Sequence, residues 1–575
     1  MDFLGSYHRD IRSRALDICD APHIAKGQMT LAGFENASDA NGMALVQGRM
    51  RNRRALAKEL GCAPYASQAQ LVLSAYAAWG DEYPRHIEGP CMSCVADVAR
   101  DRMIVARDRM GETQVFFTCG KGGMVFAGHP DMLLRSAVLE PVMDREGLCE
   151  LFGLGPARTP GKTPLRDLKS LEAGCALICE DGKCRTERYF TLDTREHTDG
   201  ERATVERVRS LLEQSVGSIV HLHPGCMLSG GIDSTALTAL LSMRIGRLES
   251  FSVDYRDNER DFVSNAFRPE MDAPYIRLAV NVFGTRHHNV VLEQDELASA
   301  LDRAVRFRGF PGMADIDASL LLFAREIVRY APNVVSGECG DEVFGGYPWF
   351  RGEPSLPEDA FPWSGSMELR TGILRPEIRE KLRLRDYVRD ALHASLESYD
   401  VSCIRDGQER TMFKLQRLCF DYFMANLQER ALRMCVPQGL HVLTPLCDDR
   451  LVQYVYNVPW SMKRMDGVEK GLYRRAVQDL LPEKLRMRKK SPYPKTCSAA
   501  YTSAVRSAVR SLCADADAPL WKVVNMDCIA RLASAPLDPA DAPWYGQLMA
   551  GPQMLAYLLQ VNSWMKERSI AVELD

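Results

Sequence analysis

Leu228-Ser229-Gly230-Gly231-Ile232-Asp233-Ser234-Thr235 is the stretch on which the fold turns. Cys226-Met227-Leu228 reads as a short buried strand that ends in glycines, and Ala236-Leu237-Thr238-Ala239-Leu240-Leu241 as the start of a helix. Strand, glycine loop and helix make the βα unit of a doubly wound sheet. The same order gives the loop a chemistry. Gly230 and Gly231 let backbone amides turn toward an anion, and the helix end adds partial positive charge, so a pyrophosphate can sit there. Ser229, Ser234 and Thr235 supply hydroxyl donors. Asp233 would repel a bare phosphate but can ligate, directly or through water, the Mg²⁺ that accompanies ATP. The lysine spacing of a Walker loop is missing, which points to a loop that holds the β- and γ-phosphates as a leaving group. For six letters alone, a glycine turn without catalytic use is a serious competitor.

A second motif weighs against that competitor. Leu248-Glu249-Ser250-Phe251-Ser252-Val253 and Asn333-Val334-Val335-Ser336 read as further strands, and the latter runs into Gly337-Glu338-Cys339-Gly340-Asp341-Glu342-Val343-Phe344-Gly345-Gly346-Tyr347. Acids at the carboxyl end of a parallel strand lie at the ligand crevice of such a sheet. Asp341 is placed to hold the second face of the metal, and Glu338 to manage a proton on an attacking amine. Glu342 reads as an ordinary acid at a helix start and Cys339 as a small residue in a tight turn. A third segment, Glu469-Lys470-Gly471-Leu472-Tyr473-Arg474-Arg475-Ala476, leads to Arg486-Met487-Arg488-Lys489-Lys490. Arg486 and Lys489 read as solvated charges, whereas Lys470 is the ammonium expected beside the α-phosphate as pyrophosphate leaves.

Composition fits this reading. At 575 residues the chain exceeds one core, so two domains are expected. Charged residues at 26% and hydrophobic residues at 46% describe an average soluble protein, and 72 Lys plus Arg against 76 Asp plus Glu leaves no footprint for nucleic acid or an anionic membrane. The 18 cysteines are scattered, which predicts reduced, mostly buried thiols, and Cys91-Met92-Ser93-Cys94 has no second pair with which to hold zinc. No signal core, transit character or apolar span appears, so a cytoplasmic location is expected. Residues 1–195 read as short strands and turns with a few helices, an α+β layered domain. From Glu201 the spacing of Val205, Val208, Leu211, Leu212, Val216 and Ile219 is helical, and residues 196–575 form the second domain, mainly helical over 410–480 and beyond 500.

At these residues the sequence resembles the asparagine synthetase B family. Further matches are Ala106-Arg107-Asp108-Arg109-Met110-Gly111, Gly155-Pro156-Ala157-Arg158-Thr159-Pro160-Gly161, Gly312-Met313-Ala314-Asp315-Ile316-Asp317 and Arg488 to Thr496. The resemblance covers nearly the whole chain. It implies an Ntn-type glutamine amidotransferase domain followed by an α/β adenine-nucleotide α-hydrolase-like (ATP pyrophosphatase) domain with extra helices. It places ATP contacts on Leu228, Val253, Ser336 and Gly337, metal and pyrophosphate ligands on Asp233 and Asp341, and the catalytic pair on Glu338 and Lys470. The implied chemistry uses ATP and Mg²⁺: an aspartate or another carboxylate is adenylated, then ammonia or an amine displaces AMP. A homodimer is also implied. A Tyr replaces the catalytic Glu in β-lactam-forming relatives, so Glu338 favours the asparagine-type reading.

The front half departs from the family. Asp2 stands where the family has its nucleophilic Cys, Gln47-Gly48-Arg49 replaces Asn-Gly-Glu, Gln68 falls on a pocket Asp, and the Arg-Gly-Pro-Asp segment has no counterpart. A degenerate, inactive glutaminase is therefore expected, with ammonia as the nitrogen source. Where the family has Gly-Leu-Glu-Val-Arg-Val-Pro-Phe the chain has Gly439-Leu440-His441-Val442-Leu443-Thr444-Pro445-Leu446, which predicts a lost ion pair at the domain junction and a partly buried, structural His441. Asp315 and Asp317 are candidates for recognising an α-amine. Two alternatives stay open: a repurposed amide-forming synthetase of the β-lactam or lasso-peptide kind, and a non-catalytic regulatory paralogue. The intact constellation around Ser229–Thr235 speaks against the latter.

Overall fold

A computed structural model describes residues 3–7, 23–26, 28–33, 35–39, 42–120, 123–136, 138–264, 268–353, 355–536 and 543–574. Asp2 lies outside them. The front half stacks two six-stranded sheets whose neighbouring strands are antiparallel. One runs in the order 169–170, 116–120, 123–127, 4–7, 29–32, 23–26, and the other 183–188, 175–180, 102–106, 91–97, 42–48, 35–38. Strand side chains alternate between faces. In Gly42–Gly48, Met43 and Leu45 therefore enter the layer between the sheets, whereas Ala44 and Val46 face the helices Arg53–Glu59 and Gln68–Trp79. Strands buried on both faces read as the apolar runs seen in the sequence. The same alternation sends Cys94 into the inter-sheet layer and Cys91 to the helix side, so this Cys-X-X-Cys pair cannot close on one metal.

The remaining outer face does not meet solvent. Leu4, Ala32, Phe116 and Val125 join Phe310, Trp564 and the second half's helices in one continuous core, with the Phe116 and Phe310 rings 5.7 Å apart and edge-on. Ion pairs rim this junction. Arg51 reaches Asp448 at 3.4 Å and also pairs with Asp449, Arg109 reaches Asp449 at 2.6 Å, and Arg158 reaches Glu429 at 2.6 Å. The junction expected to have lost an ion pair is thus charged-paired through other residues. Burial opposes ionisation of Asp449, but Arg51 and Arg109 hold its carboxyl below the usual range. A depressed folded-state pKa means stability that is present above the ordinary aspartate range and lost as pH falls through it. Asp449→Ala leaves two part-buried guanidiniums short of a partner and should cost about 3 kcal/mol near neutral pH, read as a lowered Tm. An unaltered Tm would show the seam to be held by apolar contact alone.

The second half is built on a five-stranded parallel sheet in the order 286–292, 249–255, 225–227, 333–335, 441–443. The first strand in the chain sits at the centre, and the connections leave it in opposite directions, which opens a crevice at the carboxyl ends of Gly225–Met227 and Asn333–Val335. Leu228 and Ser336, expected at the ends of those strands, begin the two crevice loops instead. Each still donates a last ladder hydrogen bond, to Phe251 O at 2.7 Å and Leu443 O at 2.9 Å. Helices Gly407–Leu418, Ala425–Cys435, Ala499–Cys513 and Gly551–Glu567 belong to the expected helical stretches, and Leu384–Ser398 precedes them. Among the described residues no helix is long and apolar enough to cross a membrane. His441 pairs with Asn333, at the start of its strand and the far end from the crevice, and it is exposed. It is neither a partly buried structural residue nor a base for the site.

Candidate active site

Helix Ile232–Ser242 begins directly after the glycine loop, with Gly231 as its N-cap in extended backbone. Gly230 has φ +71°, the left-handed region that glycine enters cheaply, and a Cβ there would stand 2.8 Å from Tyr275 Cβ. Inside the loop Ser234 Oγ lies 3.1 Å from Ser229 Oγ and accepts from Ser229 N at 3.2 Å. Arg488 clamps the loop from the other side: its guanidinium donates to Ser229 O at 2.9 Å, stacks 4.3 Å over Tyr275 and pairs with Asp272.

Across the crevice the second motif presents its acids. Gly346 lets the backbone come so close that a Cβ would meet Asp341 Oδ1 at 2.0 Å. Lys470 caps helix Gly471–Ala476 in left-handed backbone, φ +55°, and its ammonium sits between the two loops, 2.6 Å from Asp233 Oδ2 and 2.6 Å from Asp341 Oδ1. Lys490 reaches Asp341 Oδ2 at 2.5 Å. The four charges are largely buried and set one another's titration. Burial works against ionised Asp341, yet Lys470 and Lys490 hold its carboxyl far below the usual range. Asp233 moves up, through burial first and, against the pull of Lys470, the charge of Asp341. Lys470 is held protonated because the two carboxylates outweigh its burial.

Glu338 stands apart from this cluster. Burial pushes its carboxyl up to about 7, against the pull of Arg430, whose guanidinium is 3.9 Å away and packs 4.4 Å from the Tyr493 ring centroid. Among the described residues Glu338 Oε2 has no hydrogen-bond partner. Leu228, Ser229, Gly231, Asp233, Ser234, Val253, Ser336, Gly337, Glu338, Asp341 and Lys470 all line one cavity of about 220 Å³. Of the sequence-expected contacts, Gly230 and the hydroxyl donor Thr235 are left off its wall, and Gly230 instead shapes the turn beneath Arg488. Thr235 is fully buried behind the loop.

Three expectations change. Glu342 does stand in the first turn of helix Gly340–Phe344, but it is buried and accepts from Tyr347 OH at 2.7 Å, and burial with the charge of Asp341 pushes its carboxyl up to about 7, so it is not an ordinary one. Asp317 is locked to Arg308 at 2.9 Å and Arg430 at 3.4 Å, and Asp315 lies with Gln553 inside the protein, its carboxyl pushed up to about 6 by burial. Neither lines the cavity with an acid for an α-amine. Lys490, Arg488 and Arg430 are the site residues that sequence reasoning missed. The one signal for Arg488 and Lys490 was the basic run 486–490, where spacing alone did not separate exposed Lys489 from its two neighbours that turn inward, and Arg430, in helix Ala425–Cys435, had no local signal.

A family profile described as Asparagine synthase matches residues 207–566, and one described as Glutamine amidotransferase domain matches 37–190. Glutamine-hydrolysing asparagine synthetase 3 of Bacillus subtilis is 35% identical over 540 residues, 92% of this chain and 88% of that protein. A putative glutamine-hydrolysing asparagine synthetase of Mycobacterium tuberculosis is 25% identical over 464 residues, 74% of this chain and 70% of the relative. Asparagine synthetase B of Escherichia coli is 25% identical over 336 residues, 54% of this chain and 53% of the relative. With one profile spanning most of the chain and a relative matched nearly end to end, the chain belongs to the asparagine synthetase family of C–N bond-forming ligases.

Proposed function

We propose that this chain adenylates the side-chain carboxylate of aspartate with ATP and amidates it with ammonia, releasing AMP and pyrophosphate. The observation that carries the reading is the Lys470 ammonium held between Asp233 and Asp341 at the mouth of the glycine loop. A cation fixed there is preorganised for the negative charge that grows on the α-phosphate and departing pyrophosphate. The loop amides and Ser229 and Ser234 hydroxyls bind the leaving group, while Leu228 and Val253 flank the purine.

Asp233 and Asp341 fit a Mg²⁺ ion. Their carboxylates converge on one Lys470 nitrogen, Asp233 Oδ1 is buried without a hydrogen-bond partner among the described residues, and Mg²⁺ beside a nucleotide needs only one or two carboxylates with phosphate oxygens completing its shell. When bound, the ion neutralises phosphate charge and orients the leaving group. Glu338, which lines the cavity, takes the proton from the attacking nitrogen.

Ammonia as the nitrogen source is supported by the front half. Gln68 is buried and fully engaged: its amide donates to Glu35 at 2.6 Å and Gly48 O at 3.2 Å, and its carbonyl accepts from Met50 N at 2.5 Å. Arg49 lies near Glu112, which accepts from Thr444 Oγ1 in the changed junction segment. These long side chains occupy positions at which the resemblance put a glutamine pocket. We assign residues 1–195 to this front domain and 196–575 to the synthetase.

The test is release of pyrophosphate and AMP from ATP with aspartate and ammonium chloride, with asparagine identified as product. If aspartate supports no AMP under any nitrogen source, the acceptor is another carboxylate. At fixed free ammonia, the rate should rise with pH through about 7 as Glu338 loses its proton, and Glu338→Gln should remove that limb while lowering the rate by about 100-fold. A profile unchanged by the substitution would take Glu338 out of proton transfer.

A further inference from the structure

Far along the chain from the nucleotide loops, the front domain gathers three thiols where its two sheets meet. Strands Cys175–Glu180 and Lys183–Arg188 are joined by Asp181-Gly182, with φ +50° and +73°. Two successive left-handed residues make the tight two-residue turn that matches strand twist. Glu180 and Lys183 close the hairpin, and Cys179 and Cys184 are the next facing pair. Facing pairs alternate along an antiparallel ladder. The closing pair exchanges hydrogen bonds, so the Cys179–Cys184 pair is of the close kind, with Cα atoms roughly 4.5 Å apart. That separation is at the short end of what a disulfide spans, about 4.4–6.8 Å, where the bond forms but remains readily reduced.

The side chains agree with the backbone. Cys184 Sγ lies 3.2 Å from Cys179 Sγ and 3.8 Å from Gly123 O in the opposing sheet. Cys119, on strand Phe116–Gly120 of that opposing sheet, is within hydrogen-bonding reach of Cys184 and is exposed. Cys179 is buried and Cys184 half-buried, so the three thiols form a relay from solvent inward across the edge of the sandwich. None of them touches the nucleotide cavity.

We propose that Cys179 and Cys184 are a reversible oxidation site, loaded through Cys119 by a low-molecular-weight disulfide. The Cys119 thiolate attacks one sulfur of the incoming disulfide and expels the other half as a thiolate. Cys184 then attacks Cys119 and displaces the second half. Cys179 attacks Cys184 and returns Cys119 as a thiol. Two protein thiols are oxidised and one external disulfide is reduced to two thiols, with the two protein protons passing to the released thiolates. The hydrogen bonds from Cys119 and Cys179 favour the thiolate of Cys184, against its partial burial, which suits it to the middle step.

The experiment treats the full-length protein with oxidised glutathione, blocks free thiols and maps them by mass spectrometry. The expected result is a Cys179–Cys184 linkage that dithiothreitol reverses. Cys119→Ser should slow its formation by about tenfold or more while leaving the same product, and Cys184→Ser should leave glutathione on Cys119. The exposed Cys119 variant keeps the test valid if Cys184→Ser does not fold. Full alkylation of Cys179 and Cys184 after oxidation, or a linkage formed as fast without Cys119, overturns the proposal.

Discussion

Replacing Lys470 by methionine should lower the rate of pyrophosphate release by about 100- to 1000-fold with little change in the KM for ATP, the signature of an interaction made in the transition state. Methionine fills a similar volume, so the buried space is kept and the charge alone is removed. The loss is large because Lys470 is 2% exposed and already held between two carboxylates, so no solvent reorganises when charge develops at the α-phosphate. The variant also leaves Asp233 and Asp341 to share Lys490, and burial then pushes one of them toward its protonated form. Tm should fall as well. A lowered Tm with an unchanged rate would reduce Lys470 to a structural ion-pair partner and sink the adenylation reading of the loop.

Exchanging ammonium for glutamine should abolish product formation altogether, and glutamine should not be hydrolysed to glutamate with or without ATP. A glutaminase of this kind needs a thiol nucleophile and a pocket whose polar groups are free to receive the substrate. Gln68 instead spends both ends of its amide on Glu35, Gly48 and Met50. Restoring a pocket carboxylate with Gln68→Asp should not restore the reaction, because Arg49 still stands where the resemblance put an acid. Measured glutamine hydrolysis would overturn the inactive-glutaminase proposal and leave the synthetase reading intact, since the two rest on different residues.

The family relationship itself came from local signals. Ser229–Thr235 and Ser336–Tyr347 are legible in sequence because each requirement is local: glycine where φ is positive or backbones touch, hydroxyls and acids within a few residues, and a strand before and a helix after.

Long-range pairing was not legible. Asp317 read as a candidate for recognising an α-amine; it is consumed by Arg308 and Arg430, one of them more than a hundred residues away. Lys490 looked like its neighbour Lys489, and only the path of the chain past Asp341 separates the inward ammonium from the solvated one. His441 was expected to be partly buried and structural, but register with Asn333 sets it at the exposed end of its strand. The sequence by itself determined the family of each half, the strand, glycine loop and helix at Ser229–Thr235, and the residue types proposed for the catalytic set, since these depend on contacts between near neighbours. Only the tertiary structure decided that the halves share one core, that Arg51 and Arg109 bind Asp449 across the seam, and that Lys470 sits between Asp233 and Asp341, because burial and charge pairing are properties of residues brought together from distant parts of the chain.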